Sequence, residues 1–303
     1  MSPPPALVGP PTTPSDLLDP HQTLAVYRRV VFECVINISE GRDLEVLQRL
    51  STAAGTSLRD RHSDVFHHRS VFTLVNDAAD LERDVRALID AALASLSLEG
   101  HEGVHPRLGV VDVVPFVALD PAHAAEAVAL RDRSAEWIAA THHLPVFLYG
   151  PVEGSERTLP YVRAHAFSDL APDLGPSRPD PRRGAVVVGA RDVLVAWNLW
   201  LTGVSLETAR DLARLVRGPG VRALGLRVGD RVQVSCNLFD VRRARPSLVY
   251  DLVAEHLPRT GAIERAELVG LLPEKLLREE DPGRWAQLGL GEAVTIESRL
   301  VAR

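Results

Sequence analysis

Lysine is nearly missing from this chain: Lys275 is the single lysine among 34 basic residues, so arginine carries almost all the positive charge. We read that bias as compositional rather than functional. Cysteine is almost as scarce. Cys34 and Cys236 both lie in apolar, strand-like runs, which excludes a disulfide framework and predicts two buried free thiols. Aromatic residues make up 5% of the chain, so the core must be built from Val, Leu and Ala. No apolar run reaches membrane-spanning length, and the N-terminus lacks a charged region followed by an apolar one. These absences predict a cytoplasmic protein with no membrane partner. A net charge of −6 and the lack of any Lys/Arg run exclude a general nucleic-acid binder.

The 303 residues suffice for one large domain or two ordinary ones. Residues 1–28, with Pro3-Pro4-Pro5, Pro10-Pro11 and Pro14, read as a disordered extension. Order is expected from Arg29. A strand (Val30–Asn37) and an amphipathic helix (Leu44, Leu47, Leu50) come first. Strands at Ser57–Ser63 and His68–Val75, a helix through Leu81, Val85, Leu88 and Leu93, and a strand at Val110–Leu119 complete a β-α-β-β-α-β unit. A helix from Pro121 to His142 and a strand at Val146–Tyr149 extend it. Gly150–Gly184, rich in Pro, Gly and charge, reads as a binding loop. The second half repeats the outline. Strands at Ala185–Arg191 and Val193–Leu201 precede a helix capped by Ser205 and a hairpin about Gly229-Asp230. A helix at Ser247–His256, a strand at Ile263–Leu271, a short helix at Glu274–Leu277 and an edge strand at Ala293–Ser298 finish it. The expectation is an α+β fold of two similar units, 29–190 and 191–303, with a ligand cleft between them.

Chemistry concentrates in His101-Glu-Gly-Val-His-Pro-Arg107 and the strand after it. His101-Glu102-x-x-His105 formally matches a zinc-hydrolase helix, in which histidines at i and i+4 share one face. Gly100 and Gly103 weaken a helix there, and a residue before proline is pushed out of the helical region. His105 is expected to be extended, and no metal is expected.

Seven collinear segments resemble the glutamate formimidoyltransferase family. They are Glu33–Arg42, His105–Phe116, Val146–Gly150, Pro172–Pro176, Val188–Arg191, Val234–Leu238 and Leu268–Pro273. The resemblance spans roughly Phe32 to Pro273. It implies two ferredoxin-like subdomains with a folate cleft between them. It also implies transfer of a formimino group from N-formimino-L-glutamate to N5 of tetrahydrofolate, the co-substrate. The family's catalytic histidine falls on His105, and one near-neutral imidazole can serve both as general base and as general acid. The folate segment falls on Gly175, Pro176, Ser177, Arg178, Pro179, Asp180, Pro181, Arg182, Arg183 and Gly184, whose arginines suit folate carboxylates. Arg107, Arg191, Asn198, His62 and His68 are the candidate substrate-binding residues. A homodimer and a separate cyclodeaminase are further implications.

Three positions depart from the family pattern. His62 replaces an aspartate of the second strand, His68 an asparagine before the third, and Trp200 a second asparagine after Asn198. Two alternatives therefore stand beside formimino transfer: a glutamate formyltransferase acting on 5-formyltetrahydrofolate, and a weakened relative that binds folate without turnover.

Overall fold

The computed structural model describes residues 30–104 and 106–301. The expected extension, 1–28, and His105 lie outside the described residues. The first unit runs β1 (Phe32–Ile38), α1 (Leu44–Ala53), β2 (Leu58–Asp64), β3 (Arg69–Asn76), α2 (Ala78–Ser95) and β4 (Val111–Ala118). These strands lie antiparallel in the order β2-β3-β1-β4. On β1, Phe32, Cys34, Ile36 and Ile38 are buried on the helix side, while Glu33, Val35 and Asn37 take the other face. Each helix starts where an acidic side chain meets the first free amides. Asp43 accepts from Glu45 N and Val46 N, and Asp77 from Asp80 N.

The chain then continues through α3 (Ala124–His142), β5 (Val146–Val152), β6 (Ser155–Arg157), α4 (Leu159–His165) and β7 (Val186–Ala190). Strand β7 inserts between β4 and β5, parallel to both, and all five of its residues are buried, as a central parallel strand requires. The stretch read as an irregular loop, Gly150–Gly184, thus holds a hairpin and a helix. Thr158 Oγ1 accepts from Tyr161 N and starts α4, with Pro160 in its first turn.

The second unit comprises β8 (Val195–Thr202), α5 (Leu206–Val216), β9 (Val221–Val228), β10 (Arg231–Leu238), α6 (Pro246–His256) and β11 (Ala262–Val269). Its four strands are antiparallel in the order β11-β8-β10-β9. Counted within its own unit, this is the strand order of β4-β1-β3-β2. Helices α7 (Glu274–Arg278) and α8 (Ile296–Val301) follow. The expected edge strand at Ala293–Ser298 is not formed. Thr295 Oγ1 accepts from Ser298 N and turns the chain into α8. Three alternating residues were too short a pattern against a capping threonine.

One core gathers Phe32, Ile36, Leu88 and Phe116; a second gathers Trp197, Leu212, Val234 and Val253. A small cluster of Val75, Leu271, Ile296 and Leu300 ties the C-terminal segment to the first sheet. Cys34 and Cys236 are buried and free. No described helix is long and apolar enough to cross a membrane.

Candidate active site

One face of each sheet, together with α4, lines a cavity of about 880 Å³, within the ~300–1,000 Å³ usual for small-molecule sites. Strands β1, β3 and β4 supply Val35, Val71, Val113 and Pro115; β9 and the segment after β11 supply Leu224, Leu226 and Leu271. Six arginines (69, 157, 163, 191, 217 and 222) line it against four carboxylates (Glu33, Asp64, Glu156 and Asp192), so the cavity favours anions.

Behind its wall the most connected group is Asp112, fully buried on β4. Its Oδ2 meets Arg69 Nη2 at 2.7 Å and Arg163 Nη2 at 2.5 Å, while Oδ1 accepts from Leu108 N at 2.7 Å. Burial alone would raise this carboxyl, but the two guanidiniums outweigh burial and hold it below the ordinary range. Both arginines also donate to the carbonyl of Pro106, Arg163 at 3.2 Å and Arg69 at 3.5 Å, and Arg69 Nε donates to Asn37 Oδ1 at 3.0 Å. Pro106 lines the cavity. This ion triad therefore fixes the backbone immediately after His105.

The loop 101–104 is not helical, so the i, i+4 geometry of a zinc helix is missing from it. Its Val104 N donates to Phe66 O at 3.2 Å, tying it to the turn between β2 and β3. At Gly103 an added Cβ would stand 2.3 Å from His67 O and 2.4 Å from Arg107 Nη2, so only glycine admits this approach. Among the described residues no three His, Cys, Asp or Glu side chains gather as a metal site.

The candidate residues separate into three groups. His62, Arg191 and Asn198 line the cavity. Arg107 stands behind it, donating to His67 O at 3.1 Å and contacting the His101 ring; His67 itself lines the cavity. Burial lowers the His67 pKa, partly offset by Asp64. His68 is engaged elsewhere. Its Nδ1 accepts from Gly41 N at 3.2 Å, its ring stacks on His101 at 4.0 Å, and its backbone is left-handed at φ 47°. Asparagine and histidine both tolerate that conformation better than most residues, which accounts for the exchange at this position.

The third group is Gly175–Gly184, none of which lines the cavity. Gly175 packs on the Leu144 carbonyl and Gly184 on that of Leu108; Asp180 pairs with Arg183, and Arg182 lies 3.4 Å from Glu99. Instead the upstream half of the same connection reaches the cavity, through Glu156–Pro160, Arg163 and Ala164. Arg163 and Arg69 were missed as site residues. The Thr158-x-Pro160 helix start was the available signal for the former, and alternation along β3 for the latter.

Asn198 Nδ2 donates to Glu267 Oε2 at 3.3 Å, and Trp200 Nε1 donates to the same oxygen at 2.8 Å. Trp200 thus retains an N–H donor where the family pattern has asparagine. Burial would raise Glu267, but Trp200, Arg265 and His62 together hold it low. His62 is therefore within electrostatic reach of a carboxylate contributed by the second sheet.

A model of the formiminotransferase domain, N-terminal subdomain, matches residues 31–191. Glutamate formimidoyltransferase of Streptococcus pyogenes serotype M1 is 32% identical over 270 residues, covering 82% of this chain and 90% of that protein. The protein of the same name from Thermoplasma acidophilum is 32% identical over 272 residues, 81% of this chain and 89% of its own length. The formimidoyltransferase-cyclodeaminase of Sus scrofa is also 32% identical, over 277 residues, but this chain spans only 50% of it. By domain match and by near full-length similarity, this chain belongs to the formiminotransferase family.

Proposed function

We propose that this protein is a glutamate formimidoyltransferase that moves the formimino group of N-formimino-L-glutamate to N5 of tetrahydrofolate inside the cavity between the two sheets. Family membership carries the reaction class. The observation that supports the location is a cavity combining apolar walls for a ring with guanidiniums for carboxylates. Arg217 and Arg222 line it and form no ion pair among the described residues. A bidentate guanidinium is the natural partner of the carboxylates that donor and acceptor both carry.

In the reaction, N5 attacks the formimidoyl carbon and forms a tetrahedral centre between the incoming N5 and the outgoing glutamate nitrogen. The proton leaves N5, and another reaches the glutamate nitrogen as its bond to carbon breaks. We assign His105 to both transfers, as base and then as acid. Arg69 and Arg163 act as positioning residues, since they grip the carbonyl of the next residue, and Asp112 orients both guanidiniums. The two units are read as ferredoxin-like subdomains with their boundary at Arg191, between β7 and β8. Their shared strand order and separate cores support that division.

The direct test mixes protein, tetrahydrofolate and N-formimino-L-glutamate and follows the absorbance of 5-formiminotetrahydrofolate. Turnover is expected, with kcat falling roughly 10²–10⁴-fold in His105→Ala. Folate binding without turnover in the wild type would replace this reading with a binding-only relative. Turnover only with a formyl donor would replace it with formyl transfer.

A further inference from the structure

Glu33 stands apart from the other acids of the site. It is 4% exposed, lines the cavity from β1, and its carboxyl makes no hydrogen bond or ion pair among the described residues. It is also not among the buried polar atoms sealed without a partner, so the carboxyl opens toward the cavity and not into packed side chains. Arg191 lines the cavity close enough to act electrostatically on Glu33, yet the two form no ion pair. An open carboxyl beside a guanidinium offers two acceptors and a donor to a flat ligand edge.

Position along β1 decides which edge. Asn37, bonded to Arg69, marks the end of the cavity near Pro106. Glu33 lies four residues away on the same strand face, about 13 Å at strand rise. Removing a hydrogen bond of about 3 Å at each end leaves ~7 Å, the span of a fused two-ring heterocycle. The floor between the ends is apolar, formed by Val35 with Pro115 on the neighbouring strand. The formimino group of the donor must sit at the reacting end and cannot also reach Glu33.

We infer that Glu33 is the pterin-recognition residue, accepting hydrogen bonds from the 2-amino group and N3–H of the folate ring while Arg191 donates to its 4-oxo group. This assignment rests on the proposed transferase reading. Burial, opposed by Arg191 and reinforced by Glu297, pushes the Glu33 carboxyl up to about 7. Two N–H donors from a ligand would favour the ionised form and expel its proton.

The experiment compares wild type and Glu33→Gln with tetrahydrofolate, its 2-desamino analogue and N-formimino-L-glutamate, measuring binding and steady-state kinetics. Glutamine keeps the shape but turns one acceptor into a donor facing N–H groups. We expect the tetrahydrofolate Kd and KM to rise roughly 10–100-fold, with the KM for N-formimino-L-glutamate within twofold. The wild type should reject the desamino analogue by a similar factor, and Glu33→Gln should no longer discriminate. A melting temperature at or above the wild type's at pH 8 verifies the fold, and the analogue arm needs no variant. Unchanged tetrahydrofolate KM, or a rise confined to the formimino donor, overturns this inference while leaving the transferase reading intact. A wild type that neither binds tetrahydrofolate nor turns over overturns both.

Discussion

On the cavity wall built from β1, β2, β3 and β4, charges are mostly neutralised by neighbours. Arg69 and Arg163 share Asp112, and Asp64 accepts from the amides of Phe66 and His67. On the opposite wall, Arg222 lies over the Phe239 ring at 4.4 Å, and Arg217 donates to the Ala223 carbonyl at 2.8 Å, but neither has a carboxylate partner among the described residues. Two units of the same strand order therefore do different work. The first is a prearranged, internally paired scaffold beside the proposed catalytic residue, and the second leaves Arg217 and Arg222 without an acidic partner at the proposed ligand site. Glu33 is the exception on the first wall, an unpaired carboxyl where the others are engaged. The contrast predicts where damage should appear: in stability for paired groups, in ligand affinity for unpaired ones.

The largest effect belongs to Asp112. Asp112→Asn leaves two largely buried guanidiniums without the fully buried carboxylate they share. Breaking a buried pair in this way costs about 3–5 kcal/mol. Urea denaturation should show that loss, and kcat should fall with it because the Pro106 carbonyl loses its fixed donors. A variant of wild-type stability would mean that solvent or another acid already neutralises the triad.

Glu33 should show the opposite sign. Its folded pKa, about 7, stands above the ordinary 4.5, so between those values the folded protein holds a proton that the unfolded chain has released. Stability is then complete below about pH 4.5, declines as pH rises through 7, and levels off above. The groups acting on it are Arg191, which opposes the rise, Glu297, which adds to it, and the neighbouring thiol of Cys34. The decline amounts to at most ~3 kcal/mol. Glu33→Gln should remove it, so the stability difference between variant and wild type must grow between pH 5 and pH 8. A constant difference would show that Glu33 is ionised throughout.

How far the sequence foretold this division depends on how local each signal was. Strands and helices of both units follow from continuous apolar runs such as Val111–Ala118, from alternation in runs such as Phe32–Ile38, and from capping residues such as Asp43, Asp77 and Ser205. The C-terminal helix was missed because Thr295 capped a stretch with only three alternating residues. The site was harder to read. Arg163 reaches Asp112 across 51 residues of sequence, and no local periodicity encodes that contact. Glu33 lies in an apolar strand, where its burial is evident but its open face depends on a second sheet more than 150 residues away. The 175–184 segment was assigned by resemblance alone, and its packing beside β4 follows from glycines seated on carbonyls, which sequence spacing does not reveal.

On the unpaired wall, Arg222→Ala should raise KM for the carboxylate-bearing substrate by about tenfold, the cost of one or two hydrogen bonds to a charged group. Its effect on melting should be small, because no ion pair is lost. Steady-state kinetics with mono- and polyglutamylated folate will show which carboxylate is held. A change in stability without a change in KM would move Arg222 to the structural side of the comparison.

The smallest expected effect sharpens the comparison most. His68 was a candidate substrate residue, yet the structure turns it toward Gly41, Glu40 and His101, in a left-handed conformation. If its role is to hold that turn, His68→Asn should be nearly silent, within about 0.5 kcal/mol of wild-type stability and within twofold in kcat and both KM values, because asparagine accepts the same backbone angle. His68→Val should be worse by about 1–3 kcal/mol, since a β-branched residue is strained at positive φ. Thermal melts and kinetics on the pair separate the two roles. Strain alone orders the variants by stability while leaving the asparagine active. A substrate contact would instead slow His68→Asn at full stability and place His68 among the ligand-facing groups.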